Sequence, residues 1–466
     1  RALPDVDDHV RAGLQQLFDE FVPPIVRFVE RTTKQIVPMQ PVALVQTLLY
    51  MLEGLLTHDL LRQATENTDK DPAQGAARVV EPWFTFACVW AFGSCLATVD
   101  GVNYRDMFSE FFRNEFKATK LPARETVFDY FLDPETGKFD SWKKAPFYDS
   151  VEFDSRTMSM ADVMVPTTET AAVMYWADQL LRRKRPVMLA GPAGCGKTKL
   201  ASGLLKAMDE GEYRHASINF NFFTSSHALK AVMETHLERK TGTTYGPPGS
   251  ATLVWFLDDL NLPEVDAYDT QSAIALVRQH MDYLHWYDMS KIQAKTVVNT
   301  TYMAAMNPTA GSFSVNPRLQ RHFATFAIEF PTATSLLTIY QTFLHGHLSN
   351  FTGGIQALSG TLINAALDVH ARVASTFRKS AINFHYEFNI RHLSNVFQGM
   401  LVADPREFKH ADAFVQLWAH ESERVYGDRL VTEEDFARFQ SILYHVAKKR
   451  FAPNAPSLSK YYEGAA

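Results

Sequence analysis

This sequence has few cysteines, a small net charge and no long apolar run, and each of these features excludes a class of protein. Cys88, Cys95 and Cys195 show neither a paired framework nor a metal-binding spacing, which fits a reducing compartment. A formal net charge of −6 provides no general attraction to nucleic acid or to an anionic membrane. No run of about 18 apolar residues is present, so no membrane-spanning helix is expected. We therefore expect a cytoplasmic protein with no nucleic-acid and no membrane partner.

The composition is that of a globular chain with a large core. Hydrophobic residues make up 46% and charged residues 21% of the 466 positions, and this length suits two or three domains. The sequence starts with Arg-Ala-Leu-Pro and shows neither an initiating Met nor a signal peptide. We therefore expect the chain to be a piece of a longer protein.

Helical periodicity dominates the N-terminal part of the chain. Apolar residues recur every three or four positions over residues 10–65, which predicts amphipathic helices. The polar stretch 65-TENTDKDPAQG predicts a loop, and the apolar stretch 83-WFTFACVWAFGSCLATV predicts a further helix. Pro122 and the turn-rich 133-DPETGKFDSWKKAPF indicate a boundary.

The pattern changes from about residue 163 onward. Short apolar runs alternate there with helical segments, which predicts a parallel sheet covered by helices. After Pro331 the sequence again predicts helices to its end. The apolar runs are 187-VMLA, 216-ASINFNF, 253-LVWFLDD, 300-TTYMAAMN and 324-ATFAIEF.

A phosphate-binding motif follows the first of these runs. The stretch 191-GPAGCGKT fits G-x-x-x-x-G-K-[ST], with a predicted strand before it and a predicted helix after it. Its glycines let backbone N–H groups face phosphate oxygens, and the helix N-terminus adds the positive end of a dipole. Lys197 would reach the outer phosphates, and the Thr198 hydroxyl would ligate Mg²⁺. The alternative is a chance glycine-rich turn. The candidate contacts are Gly191, Pro192, Ala193, Gly194, Cys195, Gly196, Lys197, Thr198 and Lys199.

Two acids end the buried run at 253-LVWFLDD. Asp258 would hold the Mg²⁺ shell through water, and Asp259 would orient the attacking water. The alternative is that both acids cap the helix that follows. The position of the pair, about 60 residues after the phosphate loop, favours the metal role.

Asn307 and three arginines complete the candidate set. Asn307 ends another apolar strand, so its amide would bond the water or the γ-phosphate at the neighbouring strand end; the alternative is a simple Asn-Pro turn. Arg318 and Arg321 are spaced three apart on one helical face. Arg391 begins an amphipathic helix near the C-terminus. Single arginines usually serve surface solvation, so these roles depend on their context.

This ordered set resembles the AAA+ ATPases, and several long strings resemble the third AAA+ module of an axonemal dynein heavy chain. The resemblance covers about residues 120–466, and residues 1–120 resemble the helical lid of the second module. The strings are 165-VPTTETAAVMYW, 219-NFNFFTSSHALK, 256-FLDDLNLPEVDAYDTQSAIALVRQHMDYLHWYD, 305-AMNPTAGSFSVNPRLQRHF and 415-VQLWAHESERVYGDRL.

The resemblance implies an α/β fold: a P-loop AAA+ core whose parallel sheet is flanked by helices, with all-helical lid subdomains before and after it. The implied ranges are 1–120 for the lid of the preceding module, 121–340 for the nucleotide-binding domain, and 341–466 for the module's own lid. The implied cofactors are ATP or ADP and Mg²⁺.

The resemblance also implies roles for individual residues. Asn307 would be the first sensor, and Arg391 would be the lid sensor that detects the γ-phosphate. Val165 and Pro166 would lie near the adenine. One of the arginines at 318 and 321 would act in trans on the nucleotide of the preceding module. The arginine finger for this chain's own pocket would come from the next module.

One departure from the family pattern concerns Asp259. AAA+ ATPases usually carry Asp-Glu at the end of the acidic strand, whereas this sequence carries Asp258-Asp259. Because Asp is one methylene shorter, its carboxylate would lie about 1 Å short of the water, and such a misplacement can cost on the order of 10²-fold in rate. Many axonemal dyneins tolerate Asp here, so we expect slow hydrolysis rather than none.

Two hypotheses follow from the sequence. The first is a slowly hydrolysing regulatory ATPase module that gates communication between the main ATPase site and the microtubule-binding stalk. The alternative is a structural module that permanently holds ADP or ATP, for which Asp259 is the supporting feature. An unrelated ring unfoldase is disfavoured, because no substrate-threading aromatic loop is identified. The resemblance implies adjacent AAA+ modules, other dynein chains and the microtubule as partners, and a location in the cytoskeleton of a ciliary or flagellar axoneme.

Overall fold

The computed structural model describes residues 7–66, 71–308 and 315–451, and the chain forms two compact units. The chain crosses between the units three times: it enters the second unit after Tyr148, returns to the first at Thr168, before the phosphate-loop strand, and enters the second again after Glu329. The module boundaries that the resemblance implies, at about residues 120 and 340, stay a prediction. The first unit comprises Arg1–Tyr148 and Thr168–Glu329, and the second comprises Asp149–Thr167 and Phe330–Ala466.

The N-terminal part of the first unit is mainly helical, as predicted for residues 10–65. In the first helix the buried residues recur every three or four positions, from Val10 to Val29, so one face packs against the fourth helix. The helices are α1 Asp8–Thr32, α2 Pro41–Leu55, α3 His58–Thr65, α4 Pro72–Gly93 and α5 Tyr104–Glu115. Two hairpins accompany them, β1 Thr98–Val99 with β2 Val102–Asn103, and β3 Tyr130–Leu132 with β4 Phe139–Ser141.

The loop predicted at 65–75 is wrong at its C-terminal end. Asp71 caps α4 by accepting from the N–H groups of Ala73 and Gln74, and Pro72 at the first helical position suits the cap. Residues 67–70 of that stretch lie outside the described residues, as do 309–314 after Asn307 and 452–466 of the predicted C-terminal helices.

The apolar helix predicted over 83–99 also ends early. α4 stops at Gly93, and β1 begins at Thr98. The Ser94 hydroxyl donates to the carbonyl oxygen of Thr325 at 2.8 Å, and the Ala327 N–H donates to the carbonyl oxygen of Ser94 at 2.7 Å. Residues after α4 therefore bond to a distant strand instead of continuing the helix.

The centre of the first unit is a five-stranded parallel sheet flanked by helices, as predicted. Its strand order is β13-β5-β12-β9-β6, and every neighbouring pair is parallel. The strands are β5 Val187–Ala190, β6 Tyr213–Asn219, β9 Thr252–Asp258, β12 Thr300–Met306 and β13 Ala324–Ala327. The helices are α6 Thr168–Arg182, α7 Lys197–Ala207, α8 Ser226–Glu234, α9 Ser272–Tyr283 and α10 Pro317–Gln320.

Burial explains why these strands read as continuous apolar runs. All four residues of β5 and five of the seven residues of β9 are buried, because helices cover both faces of the sheet. The parallel arrangement places the carboxyl ends of β5, β9 and β12 at one edge. The phosphate loop follows β5 there, Asp258 ends β9, and Asn307 follows β12.

A smaller four-stranded sheet extends from the first unit, and the sequence did not predict it. Its order is β10-β11-β8-β7. Glu234 at the end of α8 anchors it, because its carboxylate accepts from Trp286 Nε1 at 2.9 Å and from Lys295 Nζ at 3.2 Å. The strands are β7 Glu238–Thr241, β8 Thr244–Gly246, β10 His285–Asp288 and β11 Gln293–Val297.

The second unit is helical, as predicted for the chain after Pro331. Its buried core is built from apolar side chains of its longer helices. Among the described residues no helix combines the length and apolarity that a membrane crossing requires. The helices are α11 Ala333–Leu348, α12 Gly353–Gln356, α13 Ser359–Thr376, α14 Ile390–Met400, α15 Ala411–Tyr426 and α16 Glu433–Phe451.

Candidate nucleotide-binding site

The phosphate loop lies between β5 and α7, and its glycines have two different physical reasons. Gly194 and Gly196 have φ values of 83° and 98°, a left-handed conformation that favours glycine. Gly191 is needed for space, because a Cβ there would lie 2.2 Å from the carbonyl oxygen of Ile328. The backbone turn of the predicted motif is therefore present.

Lys197 is held inside the loop. Only 7% of its surface is exposed, and its ammonium donates to the carbonyl oxygens of Gly191 and Pro192 at 2.8 Å each. Cys195 Sγ lies 3.8 Å from the same ammonium. A buried cation needs compensating oxygens, and phosphate oxygens would serve better than neutral carbonyls.

Thr198 and Asp258 meet at the site. The Thr198 hydroxyl donates to Asp258 Oδ2 at 2.8 Å, which joins the start of α7 to the end of β9 across 60 residues of sequence. The other carboxylate oxygen, Oδ1, accepts from the N–H of Asp259 at 3.0 Å. Hydroxyl and carboxylate oxygens are hard ligands of the kind that Mg²⁺ prefers.

Neither acid caps a helix, which removes one alternative interpretation. The next described helix, α9, begins at Ser272 and has Gln271 at its N-cap position. Asp259 instead has a left-handed φ of 54° and is exposed. The left-handed conformation of Asp259 thus turns the chain immediately after β9, the strand that ends at Asp258.

Asn307 follows β12 beside the phosphate loop, and it is 9% exposed. The N–H of Gly191 donates to the carbonyl oxygen of Met306 at 3.1 Å, so the two strand ends are directly bonded. Asn261 Nδ2 donates to the carbonyl oxygen of Asn307 at 3.0 Å. Asn261 is buried and was missed by sequence reasoning; its only signal was a polar residue between Leu260 and Leu262.

These residues fit a magnesium nucleotide. Gly196 is the N-cap residue of α7 and no side chain caps this helix, so the N–H groups of its first turn suit an anion. Among the described residues no group of three or more His, Cys, Asp or Glu side chains could hold a metal alone. Mg²⁺ would instead be held by Thr198, Asp258 and phosphate oxygens, and it would supply charge neutralisation.

Cys195 is a structural member of the loop. It is buried, and burial raises the pKa of its thiol, so the thiolate that redox chemistry requires is disfavoured. The interpretation of Cys195 as a filler of a free motif position agrees with this environment.

The two candidate finger arginines have different environments. Arg321 Nη2 donates to Asp282 Oδ1 at 3.0 Å, and His322 Nε2 lies 2.9 Å from the same oxygen. Arg318 is exposed on α10, and its guanidinium makes no hydrogen bond or ion pair with the described part of the chain. Both side chains are exposed, and the difference between them is that Arg321 forms an ion pair with Asp282.

The remaining candidates lie in the second unit. Val165 is buried against Phe153 and Phe343, whereas Pro166 is half-buried. Arg391 is exposed at the second position of α14, as predicted, and its N–H donates to Asn389 Oδ1 at 3.0 Å.

Three family models match consecutive parts of the chain. A P-loop containing dynein motor region matches residues 152–331, which include the whole phosphate loop, Asp258 and Asn307. A dynein heavy chain AAA lid domain matches residues 14–144, and an AAA+ lid domain matches residues 362–457, which include Arg391.

Individual relatives match nearly the whole chain. The flagellar outer-arm dynein alpha chain of Chlamydomonas reinhardtii is 41% identical over 97% of this chain, and human dynein axonemal heavy chain 9 is 42% identical over 95%. The ciliary dynein beta chain of Tripneustes gratilla is 44% identical over 95%. The chain belongs to the dynein heavy chain family. It spans about 10% of the length of each of these relatives.

The predicted fold of this dynein segment is thus confirmed, including its parallel sheet, its phosphate loop and its lid domains. Within the first unit, the structure brings Lys197, Thr198, Asp258 and Asn307 to one sheet edge. The residue-level roles of this dynein site stay predictions.

Proposed function

We propose that this segment comprises the third AAA+ module of an axonemal dynein heavy chain, preceded by the lid of the second, and that the module binds ATP and hydrolyses it slowly. The observation that carries the proposal is the 2.8 Å contact between Thr198 and Asp258 beside the buried Lys197. A chance glycine-rich turn would give no reason for a hydroxyl and a carboxylate to meet at the uncapped start of α7.

The chemistry divides among residues of the first unit. Lys197 binds the outer phosphates, and Thr198 and Asp258 hold Mg²⁺. Asp259 orients the attacking water, and Asn307 bonds the water or the γ-phosphate. Because the Asp259 carboxylate is one methylene shorter than the usual Glu, water is oriented less well and turnover is slow.

Residues of the second unit report the nucleotide state. Val165 and Pro166 lie near the adenine, and Arg391 contacts the γ-phosphate when ATP is bound. The resulting difference in lid position between ATP and ADP states is the regulatory switch.

Arg318 acts in trans on the nucleotide of the preceding module. Its exposed guanidinium, which makes no hydrogen bond or ion pair among the described residues, supports this assignment, whereas Arg321 is paired with Asp282. The next module of the heavy chain supplies the arginine for this chain's own nucleotide.

The parent heavy chain works in a ciliary or flagellar axoneme and acts on microtubules through its stalk. Within it, the nucleotide state of this module gates communication between the main ATPase site and the stalk. Adjacent AAA+ modules and other dynein chains are its protein partners.

The competing function is a permanent nucleotide brace. Bound nucleotide stabilises a fold by RT ln(1 + [L]/Kd), about 4 kcal/mol at 1,000-fold excess over Kd. The specific observation that favours the brace is Asp259 in place of Glu.

Nucleotide retained in this pocket distinguishes the two functions. The purified parent heavy chain is denatured, its ATP and ADP are quantified by chromatography, and the amounts from a Lys197→Ala variant are subtracted. ADP that exchanges and is renewed from added ATP supports the regulatory module. Nucleotide that never exchanges supports the brace and rules out the switch.

Asp259→Glu in the same parent tests whether the length of this side chain limits hydrolysis. We expect faster hydrolysis at this site, on the order of 10-fold to 10²-fold, because the longer side chain recovers the missing methylene. Unchanged hydrolysis, measured as the difference from Lys197→Ala, would remove the argument.

A further inference from the structure

Arg429 holds the segment immediately before α14. It ends the short 3₁₀ turn Gly427–Arg429 that follows α15. Its Nη2 donates to the carbonyl oxygen of His385 at 2.9 Å, and its Nη1 contacts His392 Nε2. Its guanidinium carbon lies 5.7 Å from the ring centroid of Phe388, and its own carbonyl oxygen lies 3.2 Å from His385 Nε2. The backbone and the side chain of one residue thus both bind this segment.

The same contacts reach the first turn of α14 through His392. The helix begins with a capping box in which His392 stands where Glu or Gln is usual, and the Asn389 N–H donates to His392 Nδ1 at 3.1 Å. A neutral imidazole accepts through one ring nitrogen only, so His392 either completes this box or accepts from Arg429. Both arrangements need an uncharged ring. Burial, and then the neighbouring guanidinium, lower the pKa of His392 and favour that form.

Hydrogen bonds of Tyr386 also join this segment to α16 and to the residue Val431 before it. The Tyr386 hydroxyl accepts from the Val431 N–H at 3.0 Å and donates to Asp435 Oδ2 at 2.9 Å. Tyr386 is buried, so these bonds replace bonds to water. The segment before α14 is therefore hydrogen-bonded to the residues that follow α15 at two places, through Arg429 and through Tyr386.

We propose that Arg429 is a positioning residue for Arg391. It fixes the first turn of α14, so that the exposed guanidinium of Arg391 is already oriented when a γ-phosphate is present. The inference rests on the sensor role proposed above for Arg391. A long side chain on an unfixed helix end would have to be ordered at the moment of contact, and that ordering weakens the contact.

A purely structural Arg429 and a positioning Arg429 differ in one measurable respect. A structural residue stabilises the second unit whatever stands at position 391. A positioning residue improves the discrimination between ATP and ADP only while Arg391 is present. The dependence of one substitution on the other therefore separates the two roles.

The experiment measures Kd for a fluorescent non-hydrolysable ATP analogue and for fluorescent ADP on the purified parent heavy chain. The signal of this site is the part that Lys197→Ala removes. The variants are Arg391→Ala, Arg429→Ala and the double variant. Arg438→Ala is the matched control, because Arg438 pairs with Glu434 on the exposed face of α16 and, among the described residues, makes no hydrogen bond or ion pair with the segment before α14.

We expect each single substitution to lower the ATP preference at least about fivefold, the lower range of ordinary coupling between sites. The double variant should be no worse than Arg391→Ala, and Arg438→Ala should retain the full preference. Additive losses, or a full preference in Arg429→Ala, overturn the inference and leave the sensor role intact. A full preference in Arg391→Ala removes the sensor role, and the positioning role with it.

A conservative substitution covers the case in which Arg429→Ala unfolds the second unit. His392→Gln restores the usual capping-box residue and should retain the ATP preference, whereas His392→Ala should lower it. Equal preference in these two variants, with α14 protected from hydrogen exchange in both, overturns the inference.

Discussion

At the scale of single residues, the glycines of the phosphate loop show that one residue type meets two different demands. Gly196 is constrained by its backbone, since a Cβ there would meet no heavy atom within 4 Å but φ is 98°. Gly191 is constrained by its neighbours, since a Cβ would lie 2.2 Å from the Ile328 carbonyl oxygen and 2.9 Å from Cys195 Sγ. The two positions should therefore respond differently to alanine.

Gly191→Ala should weaken nucleotide binding at this site by more than about a hundredfold, which is about 2.8 kcal/mol, because the chain after β5 and the chain after β13 must separate. Gly196→Ala should lose less, because its penalty is the left-handed strain of about 1–2 kcal/mol without a clash. Fluorescent nucleotide titration of the parent chain measures both losses. Gly137→Ala, which has a φ of 63° in a distant hairpin turn, is the control. Equal losses at positions 191 and 196 would contradict the steric explanation.

The two arginines at 318 and 321 give a second prediction at this scale. Arg318→Ala should slow hydrolysis at the preceding module by about 10³-fold, the lower range for a finger arginine. It should leave the first unit as stable as before. Arg321→Ala should loosen α9 and α10, because it leaves Asp282 with fewer cationic partners. Single-turnover hydrolysis and hydrogen exchange measure the two effects, and the reverse pattern would exchange the assignments.

At the scale of elements, α13 and α15 are joined by a partly buried polar contact. His370 Nδ1 and the Tyr426 hydroxyl are 3.0 Å apart; Tyr426 belongs to the core of the second unit, and His370 is half-buried beside it. Burial, followed by the nearby His392, lowers the pKa of His370 to about 4. Between pH of about 6.5 and 4, an unfolded chain binds a proton here that the folded unit does not bind.

We therefore expect the free energy of unfolding of the second unit to fall as pH decreases from about 6.5 to about 4, with a His370 contribution of at most about 1.4 kcal/mol per pH unit. Hydrogen exchange of α13 and α15 measures it. His370→Gln keeps a partner for Tyr426 and should remove this contribution. An identical pH response in the wild type and in His370→Gln would show that other groups cause the loss.

At the scale of the whole molecule, the first unit joins the N-terminal helices to the nucleotide-binding sheet. Arg105 makes this junction: its guanidinium donates to the carbonyl oxygens of Leu96 at 3.1 Å, Ser94 at 3.1 Å and Ala327 at 2.9 Å. Ala327 ends β13, the edge strand next to β5. Burial lowers the pKa of Arg105, with Glu329 opposing that shift.

Arg105→Ala should destabilise the first unit by about 3 kcal/mol, because three carbonyl oxygens lose a charged donor. The expected result is faster hydrogen exchange at the Ala327 amide and easier proteolysis after α4. Lys34→Ala is the matched control, because Lys34 and Asp100 form an exposed ion pair in the same region. Protection at Ala327 equal to the wild type would assign the junction to apolar packing instead.

The sequence by itself determined the features that depend on neighbours along the chain. The motif 191-GPAGCGKT, the acids that end β9 and the asparagine after β12 were all recognisable, because strand, turn and helix signals are local. Apolar runs that alternate with helical segments also predicted the parallel sheet, and a parallel sheet places the carboxyl ends of these strands at one edge. Local sequence signals alone therefore predict the central residues of the site.

Only the tertiary structure decided the features that depend on distant partners. Helix α4 ends at Gly93 because Ser94 bonds to Thr325, which lies 231 positions away. Asn261 supports Asn307 across 46 positions, and Arg429 holds His385 across 44. No periodicity or motif encodes such pairs, because a hydrogen bond depends on the separation of two atoms in space and not on their separation along the chain.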